Sequence, residues 1–181
     1  LQERLHVRSN GDGLVCNAVR YGNVLESRGS LIPLLKQRFQ SDQDVQITNK
    51  DMTRFFLTLD ASVDLIRTAL ADDEGGKIFV PAIRSAKIVD VVDIFREYFS
   101  RPEERVRFTK IRPGEKIDEL LVCNEELRRT CRIEDVFVIH DILSDKCFYD
   151  LTEEVSSGSP NYLLNREELV EFLTISGVFR A

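Results

Sequence analysis

Apolar residues along this chain alternate between helical and strand spacings. The clearest helical period runs through Ile88, Val91, Val92, Phe95 and Phe99, which fall on one face at i, i+3, i+4, i+7 and i+11. A second helix is expected from Ser30, with Leu31, Leu35 and Phe39 four apart and Pro33 in the first turn, where its missing amide costs little. Val63, Ile66 and Leu70 mark a third, capped by Thr58 or Asp60. The last starts at Asn165, where Glu168 three residues on completes a capping box; Leu169, Phe172 and Leu173 form its inner face and Gly177 stops it. Residues 1–9, with Leu1, Leu5 and Val7 apolar, resemble the last turns of a helix, ended by Asn10-Gly11-Asp12-Gly13.

Between these, the mostly apolar run 14–21 suits a strand buried on both faces of a parallel sheet. Residues 45–48, 53–58, 77–81, 105–111 and 136–140 read as further strands, 124–130 as helical, and 145–160 as a polar loop. Alternating strands and helices imply an α/β fold. No internal repeat interrupts it, so residues 1–181 read as one domain. No N-terminal strand, Gly-rich turn and helix occur in order, so a complete dinucleotide-binding unit is not expected in this stretch.

Composition narrows the function classes. A net charge of −6, from 31 acidic and 25 basic residues, argues against a nucleic-acid binder, although it leaves room for a local basic site that holds a phosphate. Cys16, Cys123, Cys131 and Cys147 show no CxxC spacing and read as reduced structural thiols of a cytoplasmic protein. His6 and His140 lie far apart without a paired ligand, so a metal site is not expected. No apolar run approaches the ~20 residues of a membrane span, and no signal-peptide pattern appears. A first residue of Leu1 fits a piece of something longer.

Three segments ask for chemistry. In Arg20-Tyr21-Gly22-Asn23-Val24, followed by Ser27-Arg28-Gly29-Ser30, a strand ends and a Gly-Ser pair opens a helix; this suits a phosphate, and equally an ordinary strand exit and N-cap. Arg54, between apolar residues of Met52-Thr53-Arg54-Phe55-Phe56, must reach a partner, either a phosphate or a carboxylate such as Asp51. In Arg112-Pro113-Gly114-Glu115 a tight turn sets a guanidinium and a carboxylate on opposite shoulders, as a diphosphate and a ribose diol require and as a charged surface turn also allows. The acidic run Asp72-Asp73-Glu74 and the basic cluster 101–107 read as solvated faces.

In order, RYGNV, SRGS and IP, then MTRFF, then IRPGEK and DELL resemble the inverting UDP-N-acetylglucosamine 4,6-dehydratases and related polysaccharide-biosynthesis proteins of the extended short-chain dehydrogenase type. The similarity is strong over residues 15–122 and weak from Cys123 onwards. It implies an α/β chain with the last strands of a Rossmann-like sheet and a small substrate-binding subdomain: the UDP-sugar half, without the N-terminal half that holds NAD(P) and the catalytic Tyr and Lys. By this resemblance Asn23 lies near the diphosphate, and Gly29, Ser30, Ile32 and Pro33 line the nucleotide pocket. Met52 adds apolar packing, Arg54 and Arg112 contact phosphate, and Glu115 holds the ribose hydroxyls. Tyr21 and Gly22 sit beside the nicotinamide. Glu26 departs from the family, which commonly has Gly there; its carboxylate would repel a diphosphate unless it turns outward.

The implied parent reaction is oxidation at sugar C4, loss of water across C5 and C6, and hydride return, with no catalytic residue on this stretch. A UDP-sugar 4-epimerase and a non-catalytic UDP-sugar-binding protein are the rival readings. The expected partners are a UDP-sugar and either a separate N-terminal half or a second copy of the chain, with no nucleic acid and no membrane.

Overall fold

The computed structural model of the chain describes residues 2–11, 13–145, 147–148 and 150–179, and of Arg4 and His6 the backbone alone. Leu1 and Asp12, expected in the first helix and its stop, lie outside the described residues. The chain opens with α1 (Gln2–Arg8), β1 (Ala18–Val19), β2 (Asn23–Val24), α2 (Leu31–Gln40), β3 (Val45–Ile47) and β4 (Thr53–Leu57). It continues through α3 (Leu59–Leu70), β5 (Lys77–Pro81), β6 (Ser85–Lys87), α4 (Ile88–Tyr98) and β7 (Val106–Phe108). It closes with β8 (Leu120–Val122), a 3-10 segment (Asn124–Arg129), β9 (Thr130–Ile133), β10 (Val136–His140), β11 (Val155–Ser156) and α5 (Arg166–Ile175). These elements form two compact units, one of residues 1–21, 60–83 and 120–156, the other of residues 22–59, 84–119 and 157–181.

In the first unit the sheet order is β1-β5-β10-β9, with β1 parallel to β5 and the other pairs antiparallel. On one face Leu65 and Ala69 of α3 meet Phe79 and Val138. That contact reverses the face expected for α3: Val63, Ile66 and Leu70 are exposed and Ser62, Leu65 and Ala69 are buried. The run 14–21 is also corrected: of it only Ala18–Val19 is a strand of the sheet, beside β5, while Leu14 bridges back to Gly11 and both Leu14 and Val15 are exposed. Asp72 is likewise not a solvated charge; it pairs with Lys77, accepts from Gly75 N–H at 2.8 Å, and is itself half-buried.

A partly buried ion network ties this unit together. Arg20 donates to Glu126 Oε2 at 2.8 Å, to Glu3 Oε2 at 2.7 Å and to the Leu121 carbonyl at 2.6 Å. Burial pushes the Glu126 carboxyl up, but the Arg20 hydrogen bond, the Cys123 amide and the Arg20 charge together leave it below its ordinary range. Burial and the neighbouring Glu125 and Glu126 push the Cys123 thiol up to about 11.

The second unit is built on helix packing. Its core holds Ile32, Leu35 and Phe39 of α2, Val91, Val92 and Phe95 of α4, and Leu169 and Leu173 of α5. Each such side chain, fully buried, is worth roughly 1.5–3 kcal/mol. The inner face of α4 is the expected one, with Phe99 partly buried just past its end. The expected α5 cap is present too: Asn165 Oδ1 accepts from Glu168 N–H at 3.0 Å and Glu168 Oε2 from Asn165 N–H at 2.9 Å. Strands β2 and β4 pair in parallel, β4 and β6 antiparallel, and β3 and β7 in parallel. Within 101–107, Arg105 and Arg107 grip Asp42 and Asp44, and Arg101 Nε donates to the Phe39 carbonyl at 2.8 Å; this cluster fastens the end of α2.

Candidate functional site

Every residue expected to bind substrate lies in the second unit. Asn23 is half-buried on β2, opposite Phe56 of β4. Gly22 just before it has a local reason to be glycine, because a Cβ there would lie 2.7 Å from the Phe55 carbonyl oxygen. Beyond β2 the chain turns through Glu26 at φ 60° and Gly29 at φ 76°. A positive φ favours glycine, which accounts physically for the residue expected at position 26. The Glu26 carboxylate points to Lys36 on α2 and pairs with it, so its charge is taken up there.

Ser30 is the N-cap of α2, yet its hydroxyl makes no cap bond; it is buried and among the described residues has no hydrogen-bond partner. The first amides of α2 and this idle hydroxyl are an anion-seeking group by their chemistry. Pro33 is half-buried in the first turn, while Ile32 and Met52 are buried in the core of the unit.

On β4 Arg54 meets backbone carbonyls and Glu119, a carboxylate other than Asp51. Its Nη1 donates to the carbonyls of Thr53 at 2.6 Å and Ile117 at 2.9 Å, its Nη2 to that of Lys116 at 2.8 Å, and its Nε lies 3.3 Å from Glu119 Oε1. These bonds fasten residues 116–119, just past the Arg112–Glu115 turn. That turn closes on itself: Glu115 N–H donates to the Arg112 carbonyl at 3.0 Å, and Arg112 N–H to Glu115 Oε2 at 3.1 Å. Gly114 supplies the positive φ of 81° that the turn needs. The Arg112 amide, the Thr48 hydroxyl and the charges of Arg112 and Arg54 hold the Glu115 carboxyl below its ordinary range against a smaller effect of burial.

Arg54, Arg112 and Glu115 thus share one electrostatic neighbourhood, and Thr48 joins them without having been singled out from sequence. Thr53, Asp118 and Ser157 were also missed; a Thr in a strand and a Ser in a polar loop carry no spacing that would link them. Tyr21 is exposed, and the close approach of Phe55 is what requires glycine at position 22. Among the described residues no cluster of His, Cys, Asp and Glu could hold a metal, and no helix is long and apolar enough to cross a membrane.

The sequence pattern of the polysaccharide biosynthesis protein family matches residues 3–141. A UDP-glucose 4-epimerase of Rickettsia felis is 39% identical over 180 residues, covering 94% of this chain and 52% of its own. The solved structure of Pen from Bacillus thuringiensis is 25% identical and superposes with a TM-score of 0.86, over 98% of this chain and 55% of that one. DesIV, a dTDP-glucose 4,6-dehydratase of Streptomyces venezuelae, shares the fold at a TM-score of 0.56 and 18% identity, over 64% and 37%. The chain spans about half the length of the epimerase and of Pen. With its mixed α/β backbone, which follows part of the extended short-chain dehydrogenase fold, and with the family pattern over residues 3–141, the chain belongs to the polysaccharide biosynthesis protein family.

Proposed function

We propose that this chain supplies the UDP-sugar-binding part of an NAD(P)-dependent nucleotide-sugar 4,6-dehydratase acting in polysaccharide or glycan biosynthesis in the cytoplasm. The observation that carries the reading is the Arg112–Glu115 turn. It presents an exposed guanidinium beside a carboxylate whose charged form the turn's own amide favours, in the same unit as the N-terminus of α2, which has no side-chain cap bond. An ionised carboxylate only accepts hydrogen bonds and so matches the two hydroxyls of a ribose. A guanidinium forks onto phosphate oxygens. Gly29, Ser30 and Pro33 lie where a diphosphate or base would meet α2, with Asn23 at the start of β2 and Arg54 offering a phosphate its remaining Nη2 hydrogen. NAD(P), with Tyr21 and Gly22 at its edge, would supply hydride chemistry and be held mainly by an N-terminal half, separate or on a longer polypeptide.

A 4-epimerase is the second reading, favoured by the name of the Rickettsia felis relative. The enzyme assembled with its cofactor-binding half separates them: NMR of UDP-N-acetylglucosamine would give a 4-keto-6-deoxy sugar for the dehydratase and the C4 epimer for the rival.

Calorimetry with UDP and uridine tests the pocket itself. A hydrogen bond to a charged group is worth roughly 1.5–3 kcal/mol, or about ten- to a hundredfold in affinity. Arg112→Ala is expected to weaken UDP by that factor and uridine little, whereas Glu115→Gln weakens both alike. Equal losses in the two variants would remove Arg112 from the diphosphate, and no binding of UDP by the unaltered chain would end the reading.

A further inference from the structure

Thr53 is a buried hydroxyl between two partners: its Oγ1 lies 2.6 Å from Asp118 Oδ1 and 2.6 Å from Ser157 Oγ. A carboxylate cannot donate, so the single Thr53 hydrogen goes to Asp118 and the Ser157 hydroxyl must donate to Thr53. Ser157 Oγ accepts in turn from Glu119 N–H at 2.8 Å. Each hydroxyl therefore donates once and accepts once, in a chain that ends on a negative charge, the arrangement in which such bonds reinforce one another.

The same few residues are fixed from every side. The Ser157 carbonyl accepts from Ser85 Oγ at 2.7 Å, and Ser157 N–H donates to the Glu119 carbonyl at 2.9 Å. Gly158 lies so close to Asp118 that a Cβ would fall 2.7 Å from its carboxylate. From β4, Thr53 N–H donates to the Ile117 carbonyl at 2.9 Å, and Arg54 binds the carbonyls of Lys116 and Ile117. Each residue from Lys116 to Glu119 is thus fastened to β4 or to Ser157. The Arg112–Glu115 turn, by contrast, is mostly exposed and held by its own two bonds and Thr48. Upstream its other stem is fixed where β7 pairs with β3 and Thr109 N–H meets the Ile47 carbonyl at 2.8 Å. A turn on two stems points where the stems are anchored, and a ligand then meets donors and acceptors already oriented.

We infer that Ser157, Thr53 and Asp118 form a hydroxyl relay that positions the Arg112–Glu115 turn for the nucleotide, which makes the 157–158 loop a determinant of UDP recognition. This rests on the UDP-sugar reading above. The three are positioning residues: they act through Arg112 and Glu115 and touch no ligand themselves. Because the turn carries both the phosphate cation and the ribose carboxylate, loosening it weakens every ligand that uses either one.

The test is calorimetry with UDP and with uridine on the unaltered chain, Thr53→Val, Thr53→Ser and Ser157→Ala, with backbone hydrogen exchange followed in parallel. Thr53→Val keeps the shape and removes the hydroxyl; it is expected to weaken UDP and uridine alike, by about tenfold. Exchange should rise over residues 112–119 and stay unchanged in α2 and α4. Thr53→Ser should restore both affinity and protection. If Thr53→Val does not fold, Ser157→Ala is read by the same two measurements and decides. Unchanged affinity in the valine variant overturns the inference. So does a loss that Thr53→Ser fails to restore while exchange rises throughout the unit, because that describes general loosening. If the unaltered chain binds neither ligand, the UDP-sugar reading fails first and takes the relay's role with it, an outcome visible before any substitution is made.

Discussion

Single residues carry the sharpest physical consequences. Glu126 is almost fully buried and bonded to Arg20 and to Arg129. Removing its charge takes a charged acceptor from Arg20, which keeps Glu3, and from Arg129, so Glu126→Gln should destabilise the first unit by roughly 1.5–3 kcal/mol at neutral pH, as read by denaturant unfolding. The pH dependence follows from the depressed carboxyl. Its contribution is complete above the ordinary glutamate value of 4.5 and is lost as pH falls through the lower folded value. The glutamine variant should therefore lose less stability than the unaltered chain as pH falls from 4.5 through the folded value; parallel losses in the two would assign the acid sensitivity elsewhere. From sequence, Arg20 stood only inside RYGNV; Glu126 is 106 positions away, so no local pattern joins them. Arg54 teaches the same lesson. Its need for a partner was legible from its apolar neighbours, but the partners are carbonyls of a segment more than 60 positions on.

At the scale of elements, helix ends were written locally and helix faces were not always so. The α5 cap rests on two side-chain bonds within four residues, so Asn165→Ala should cost about 1 kcal/mol, with Asn165→Ser near neutral. A thermal melt of both variants checks this, and no difference between them would mean that the box is not holding the helix end. The face of α4 was equally legible, because five apolar positions leave one stripe. In α3 two apolar stripes compete, and the one with Leu65 and Ala69 packs on the sheet, leaving Val63, Ile66 and Leu70 exposed. Strand 85–87 went unread because Ser-Ala-Lys carries little β propensity and is held by pairing with β4.

For the whole molecule, the family pattern and the half-length match to relatives set what the 181 residues should do by themselves. The stretch contains no YxxxK and no GxxGxxG motif. We therefore expect residues 1–181, mixed with NADP and UDP-N-acetylglucosamine, to leave the sugar unchanged by NMR; a 4-keto product would show that proton-transfer groups lie among residues given no such role.

The sequence by itself determined the α/β alternation, the inner faces of α4 and α5, the closed Pro-Gly turn and the three ordered motifs. Each of these depends on residues within a few positions of one another, where backbone geometry alone decides who meets. Only the tertiary structure decided which face of α3 packs, how little of residues 14–21 pairs, where Arg54 and the Glu26 carboxylate turn, and that Ser157 reaches Thr53 across 104 positions. Those outcomes depend on which distant segment arrives beside a buried polar group. A desolvated donor or acceptor must find a partner, but its own neighbours in the chain do not say which one.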